Sequence, residues 1–212
     1  MEKLDRGKNK LSASPAPSLE TIEHLVSEGY IPFAEVNRVL PWPGKSGRYE
    51  NDAEHSFALA FVGLALADSM GLDKAKVAQY AIYHDFVERY AGDTSAWDYE
   101  GLRTKSAREA KAAAKISDEF GATPSIAKTI HEYESQNDEE ARFVYALDKL
   151  IALLIVVQDE GRFWKDANAS FQDFEAHCET MLEKVQAHPQ VAMWYRDLTE
   201  QIVANRHKYF LS

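Results

Sequence analysis

His84, Asp85 and Glu88 lie close together at the end of a stretch whose earlier inward-spaced residues, Val77, Tyr80 and Ala81, are apolar. On a helix all six positions follow the i, i+3, i+4, i+7 rule, so the three titratable groups project from one face. Asp148 repeats the anomaly, inside a stripe formed by Val144, Leu147, Ile151, Leu154 and Ile155. An isolated buried carboxylate costs on the order of several kcal/mol, so it must be neutral, paired or bound to a cation. Lys149 is next in sequence and points about 100° away on a helix, which makes it a poor expected partner. His55 is the third anomaly, in the first turn of another helix and on the side of Leu59 and Val62. Two histidines and two aspartates from three helices could converge. That donor set suits a divalent transition metal, since imidazole favours Mn, Fe, Co, Ni or Zn and carboxylate the harder of these. Taken singly, each residue has an ordinary explanation: a hydrogen-bonded core histidine, a surface pair, an aspartate paired with arginine. One bound cation explains all of them at once.

The elements that must carry these groups read as helices. Ser18 can cap a helix over Leu19–Glu28, and Asp73 one that runs to about Tyr90. Glu54–Ser69 shows helical periodicity at Phe57, Phe61, Leu64 and Ala65, with Gly71 as its C-cap. Tyr30–Asn51 holds Pro32, Pro41, Pro43, Gly44 and Gly47, and reads as a short helix around Phe33–Val39 followed by an irregular loop. Gly92 opens a loop through Gly101. Helices are then expected over Ser106–Phe120, Pro124 to about Glu134, Asp138–Asp159, Asp173–Ala187 and Pro189–Tyr209. No segment shows convincing strand alternation, and there is no internal repeat. The expectation is an all-α bundle of roughly seven to ten helices.

Composition bounds the rest. The chain has 212 residues, 45% of them hydrophobic and 27% charged, which argues for a globular fold and against disorder. Residues 1–17 are polar and read as a mobile arm, with residues 18–212 forming one domain. No apolar run is long enough to span a membrane. The single cysteine, Cys178, cannot form an internal disulfide, which favours a reducing compartment and a cytoplasmic location. Asp and Glu number 34 against 24 Lys and Arg, a formal charge of −10. Such a surface repels nucleic acid, whose binding rests on distributed cations. A small phosphate ester needs only a bound dication and an arginine or two.

The ordered set His55 … His84-Asp85 … Asp148 resembles the H…HD…D signature of the HD-domain metal-dependent phosphohydrolases. Asn37-Arg38, then Arg48 through Ser56 (RYENDAEHS), resembles the 5′-deoxynucleotidase branch, as do His84–Glu88 with Ala91-Gly92-Asp93, and Glu140–Val144 with Leu147–Leu150. The likeness covers roughly residues 20–165. It implies an HD-domain helical bundle with His55, His84, Asp85 and Asp148 as ligands of one divalent ion per subunit (Mn²⁺, Co²⁺, Fe²⁺, Ni²⁺, Zn²⁺ or Mg²⁺). It further implies Glu88 as the group that positions or activates water, Asp93 as a catalytic aid or sugar-hydroxyl contact, and Arg38 as the phosphate contact. Glu54 is expected near the ion. The chain departs from the branch in a longer Pro/Gly-rich stretch between Arg38 and Arg48, which displaces an aromatic to Trp42.

The implied reaction is hydrolysis of (deoxy)nucleoside 5′-monophosphates. Trp42, Lys45, Arg48 and Lys105 are further candidates for substrate contact, with Trp97, Arg108 and Glu134 behind them. Two alternatives stay open: a nucleoside triphosphate or alarmone-type pyrophosphohydrolase on the same site, and a metal- and nucleotide-binding sensor without turnover. The resemblance also implies a homodimer, for which Val191, Trp194, Tyr195, Leu198 and Ile202 could supply an apolar stripe.

Overall fold

The structure, a computed structural model, describes residues 16–45, 47–95 and 98–211. Most of the expected N-terminal arm and Trp97 lie outside these residues. The chain begins with α1 (Leu19–His24), a wide π-type turn over Leu25–Tyr30, and α2 (Ile31–Ala34). Two short strands follow, β1 (Asn37–Pro41) and β2 (Tyr49–Asn51). The remaining elements are α3 (Asp52–Met70), α4 (Lys74–Tyr83), α5 (Glu88–Ala91), α6 (Tyr99–Glu119), α7 (Ser125–Ser135), α8 (Glu139–Gln158), α9 (Arg162–Asp166), α10 (Phe171–Val185), α11 (Pro189–Ala204) and α12 (Arg206–Tyr209). The fold is mostly helical, as expected.

Side-chain caps set several of the helix starts. Asn51 and Glu54 form a reciprocal capping box at α3, and Ser170 with Asp173 forms another at α10. Asp73, Asp98 and Asp138 cap α4, α6 and α8. The larger core surrounds α8, whose Phe143, Val144 and Leu147 are buried against Leu59 of α3, Val77 and Tyr80 of α4, and the inner faces of α10 and α11. Gly63 lets α3 and α4 approach closely, since a Cβ there would lie 2.9 Å from Val77 Cγ1. A second core joins Phe33, Phe86, Val87, Ile116, Phe120 and Ile130. Residues 84–87 cross from the first core to the second.

Asp138 carries an extra duty beyond capping. It accepts from the Ala141 N–H at 2.9 Å and the Tyr80 hydroxyl at 2.8 Å, and pairs with Lys76. Partial burial works against its charge, but the bonds from Lys76, Ala141 and Tyr80 outweigh it and hold the carboxyl below its ordinary value. Asp138→Ala is expected to cost about 1–2 kcal/mol in urea denaturation at neutral pH. A depressed folded pKa gives stability that is complete above the unfolded value near ~3.9 and lost as pH falls below it. The gap between wild type and variant should therefore close in acid.

Five expectations change. The helix expected over Asp73–Tyr90 breaks after Tyr83, where tight bonds (Phe86 N–H to Tyr83 O, Glu88 N–H to Asp85 O) replace the α pattern until α5 begins. The stretch read as a short helix and loop over residues 33–51 contains an antiparallel hairpin, with Asn37 paired to Asn51 and an irregularity before Pro41 and Tyr49. α6 begins at Tyr99, seven residues earlier than expected, because Asp98 caps it. Phe57, Phe61 and Leu64 face outward, Phe57 at 72% exposure, while the inner face of α3 is His55, Ser56, Leu59, Ala60, Gly63 and Ala67. Leu154 of α8 is likewise exposed. Finally, Val191, Tyr195, Leu198 and Ile202 are buried within the chain's own core, so this stripe cannot form a subunit contact. Exposed apolar side chains include Leu19, Ile22, Val26 and Tyr30 near the start of the chain and Phe57 and Phe61 on α3.

Candidate metal centre

Three helices deliver the ligand candidates. His55 sits in the first turn of α3, fixed by the Asn51–Glu54 box one turn before it, and is fully buried. His84 is the residue that ends α4, and its Nδ1 donates to the Ala81 carbonyl at 3.0 Å. That bond sets the tautomer and leaves Nε2 facing the cluster. Asp148 enters from the middle of α8, 4% exposed. Its Oδ1 lies 2.8 Å from His55 Nε2, and Asp85 Oδ2 lies 2.9 Å from His84 Nε2. Donor atoms of His55, His84 and Asp148 all fall within 4.8 Å of one another. His84 Nε2 is buried and makes no conventional hydrogen bond among the described residues. Two imidazoles and two carboxylates, one ring nitrogen unspent, fit a divalent transition ion.

Acids and bases crowd one another across the cluster. Burial and Arg38 both disfavour a charged His55, yet its bond to Asp148 and its close approach to Glu50 push the ring up to about 9. Burial would raise Asp148, but Lys149 and His55 hold it well below the usual carboxylate range. Lys149 therefore does bond Asp148, contrary to expectation. Its long stem swings back over Tyr145 and brings Nζ to the carboxylate, which the Cα direction alone does not forbid. Asp85 is held low against its burial by His84 and then Arg38.

Glu88 opens α5 and is 2% exposed. Burial first, then the neighbouring Asp85, push its carboxyl up to about 9, with Lys105 opposing at 2.8 Å. Arg38 reaches in from β1. Its Nη1 donates to Asp85 Oδ2 at 2.7 Å and lies 3.7 Å from Asp52 Oδ1. Burial works against the guanidinium charge, but Asp85, Asp148, Asp93 and Glu88 outweigh it. Asp93, in the loop after α5, bears on Arg38, Asp52 and Glu88 and so belongs to the same neighbourhood.

The remaining candidates divide. Lys105 is at the site but paired with Glu88 and Glu109. Arg48 lines, with Asn37, Arg38, Tyr49 and Glu54, an open cleft of about 770 Å³. It pairs with Glu54 and lies over the Trp42 ring at 4.0 Å. Trp42 is anchored in the hairpin loop, its carbonyl accepting from Arg162. Lys45 is exposed in that loop. Arg108 is bonded to the Ala91 carbonyl and Thr94, and Glu54 serves the α3 cap rather than the cluster.

Glu50 and Asp52 were not singled out by the sequence pattern. Both are buried, at 2% and 0% exposure. Burial first, then Asp85, push Asp52 up to about 8. The signal available was their place on either side of the Asn51 cap, which says nothing about burial.

Comparison with known proteins agrees with the geometry. A family model described as HD domain matches residues 40–190. A 5′-deoxynucleotidase from Danio rerio is 25% identical over 154 residues, covering 72% of this chain and 74% of the relative. A 5′-deoxynucleotidase from Schizosaccharomyces pombe is 23% identical over 158 residues, covering 72% and 76%. The crystal structure of a predicted metal-dependent phosphohydrolase from Magnetospirillum magnetotacticum superposes with a TM-score of 0.75 at 29% identity, covering 92% of this chain and 96% of that one. The family match spans well over half of the chain, over the same residues that build the cluster, and the chain belongs to the HD-domain metal-dependent phosphohydrolases.

Proposed function

We propose that this chain hydrolyses (deoxy)nucleoside 5′-monophosphates to nucleoside and phosphate, through residues 18–212 acting as one domain. The observation that carries the reading is Arg38. A buried guanidinium stands beside the His/His/Asp/Asp cluster and the Glu88 carboxyl, which is what a phosphate monoester at that place requires. The two 5′-deoxynucleotidase relatives support the same substrate class.

His55, His84, Asp85 and Asp148 would hold one divalent ion per subunit. Bound there, the ion supplies a Lewis acid for phosphoryl oxygen and lowers the pKa of water. Glu88 accepts the proton of the attacking water, in a pocket dry enough to fix its orientation. Arg38 grips the phosphate, and Asp93 takes a sugar hydroxyl. Arg48, lying over the Trp42 ring, borders the cleft through which substrate enters, with Lys45 in the outer loop. A pair of chains remains the proposed assembly.

A monophosphate is favoured over a triphosphate or pyrophosphate for a specific reason. Distal phosphates need spare cations, and of the four candidates Lys105, Arg48 and Arg108 are each tied to an acceptor among the described residues, which leaves Lys45 in the outer loop. Purified protein supplied with Mn²⁺ or Co²⁺ should release inorganic phosphate from a panel of 2′-deoxy and ribo monophosphates. Release of pyrophosphate or triphosphate from longer nucleotides, with monophosphates untouched, would defeat the reading.

A further inference from the structure

Glu50 plays no part in the chemistry above, yet it is among the most deeply buried charged side chains of the described residues, at 2% exposure. Three buried polar atoms without a conventional hydrogen bond meet there: Glu50 Oε2, His55 Nδ1 and Arg38 Nε. Oε2 lies 3.3 Å from His55 Nδ1 and 3.6 Å from Arg38 Nε. Glu50 Oε2 is thus the near neighbour of both nitrogens, slightly beyond ideal bonding distance.

The backbone explains the convergence. Asn37 pairs with Asn51, so Arg38 on β1 and Glu50 on β2 are cross-strand neighbours. The next residue, Asn51, is the N-cap of α3, and His55 follows within the first turn. One hairpin edge and one helix start therefore hold a candidate metal ligand and a candidate phosphate contact on the two sides of a single carboxylate.

We propose that Glu50 is a positioning residue that registers the phosphate-gripping arginine to the metal ligand. Its Oε2 accepts from His55 Nδ1, which fixes the ring tautomer and turns Nε2 to the ion. A metal-bound imidazole commonly needs such an acceptor on its other nitrogen. The same oxygen braces Arg38 at Nε. With Nη1 held by Asp85, this leaves Nη2 as the arm for a phosphoryl oxygen. The inference rests on His55 as ligand and Arg38 as phosphate contact.

The test is Glu50→Gln, with Glu50→Asp as the second variant. The amide keeps the shape and loses the charge. The shorter acid keeps the charge and cannot span both nitrogens. Metal affinity is read without substrate, by competition of Mn²⁺ or Zn²⁺ with a chromogenic chelator. KM and kcat for a deoxynucleoside monophosphate are read separately at saturating metal. Glu50→Gln should weaken metal binding about 10–100-fold. It should also raise KM about tenfold while kcat changes much less. A merely structural acid would lower the melting temperature and move neither readout. Metal affinity within twofold of wild type together with an unchanged KM would overturn the proposal, and Glu50→Asp decides by the same readouts if Glu50→Gln does not fold. A wild type that binds no divalent ion would instead overturn the ligand reading beneath it, and this inference with it.

Discussion

Glu88→Gln is expected to lower kcat for monophosphate hydrolysis by about 10²–10⁴-fold while the metal content stays that of wild type. The group is well placed for proton transfer. It is buried at the first position of α5, beside Asp85, and its pKa is pushed up to about 9 in the absence of an ion. A dication held beside it would lower that value, since a nearby positive charge favours the carboxylate form that accepts a proton. Glutamine preserves the volume and a contact for Lys105 but cannot take a proton. Elemental analysis and phosphate release, measured on the same preparation, separate the two effects. A kcat within tenfold of wild type would remove Glu88 as the base. If wild type itself turned nothing over and Glu88→Gln changed nothing, the chain would be a binding module.

Asp148→Ala is expected to abolish stable metal loading, with affinity falling by more than the ~100-fold typical of an outer-sphere change. The carboxylate comes from the centre of α8 and touches His55 at 2.8 Å, inside the cluster. The same contact gives a pH dependence. His55 is pushed up to about 9, so below that pH the ring holds a proton that an incoming ion must displace. Apparent metal affinity should therefore rise with pH, by up to about tenfold per unit, and flatten above about 9. Calorimetry in buffers of differing ionisation enthalpy should count at least one proton released per ion. Binding without proton release would show that the ring carries no proton for an ion to displace.

The clustered ligand candidates were legible because they break a pattern. His84, Asp85 and Asp148 interrupt apolar stripes, and that signal survives even where the helix does not, as in the break after Tyr83. α3 was harder to read. It is apolar on two faces, so periodicity alone could not tell the outward Phe57 and Phe61 from the inward Leu59 and Ala60. The hairpin was hidden for another reason. Its strands have five and three residues, the turn between them is rich in Pro and Gly, and their pairing carries an irregularity that erases alternation. With the hairpin went Glu50, whose burial depends on which strand lies opposite, and Asp52, which opens α3 directly after it. Lys149 shows the limit of helical-wheel geometry, because a four-carbon stem reaches where its Cα does not point.

The break after Tyr83 has a consequence for the ion. Aligned peptide dipoles give α4 a partial negative pole at its C-terminal end, equivalent to roughly half an elementary charge. Because the helix stops there, that pole falls at His84, beside the cluster. Had α4 run on to Tyr90, the pole would lie about 10 Å further along at 1.5 Å per residue, out of reach of the ligands. α3 meanwhile begins at Asp52 and presents its positive pole near His55 and Arg38. The two helix ends thus polarise the pocket before any ligand arrives, the end of α4 toward a cation and the start of α3 toward an anion.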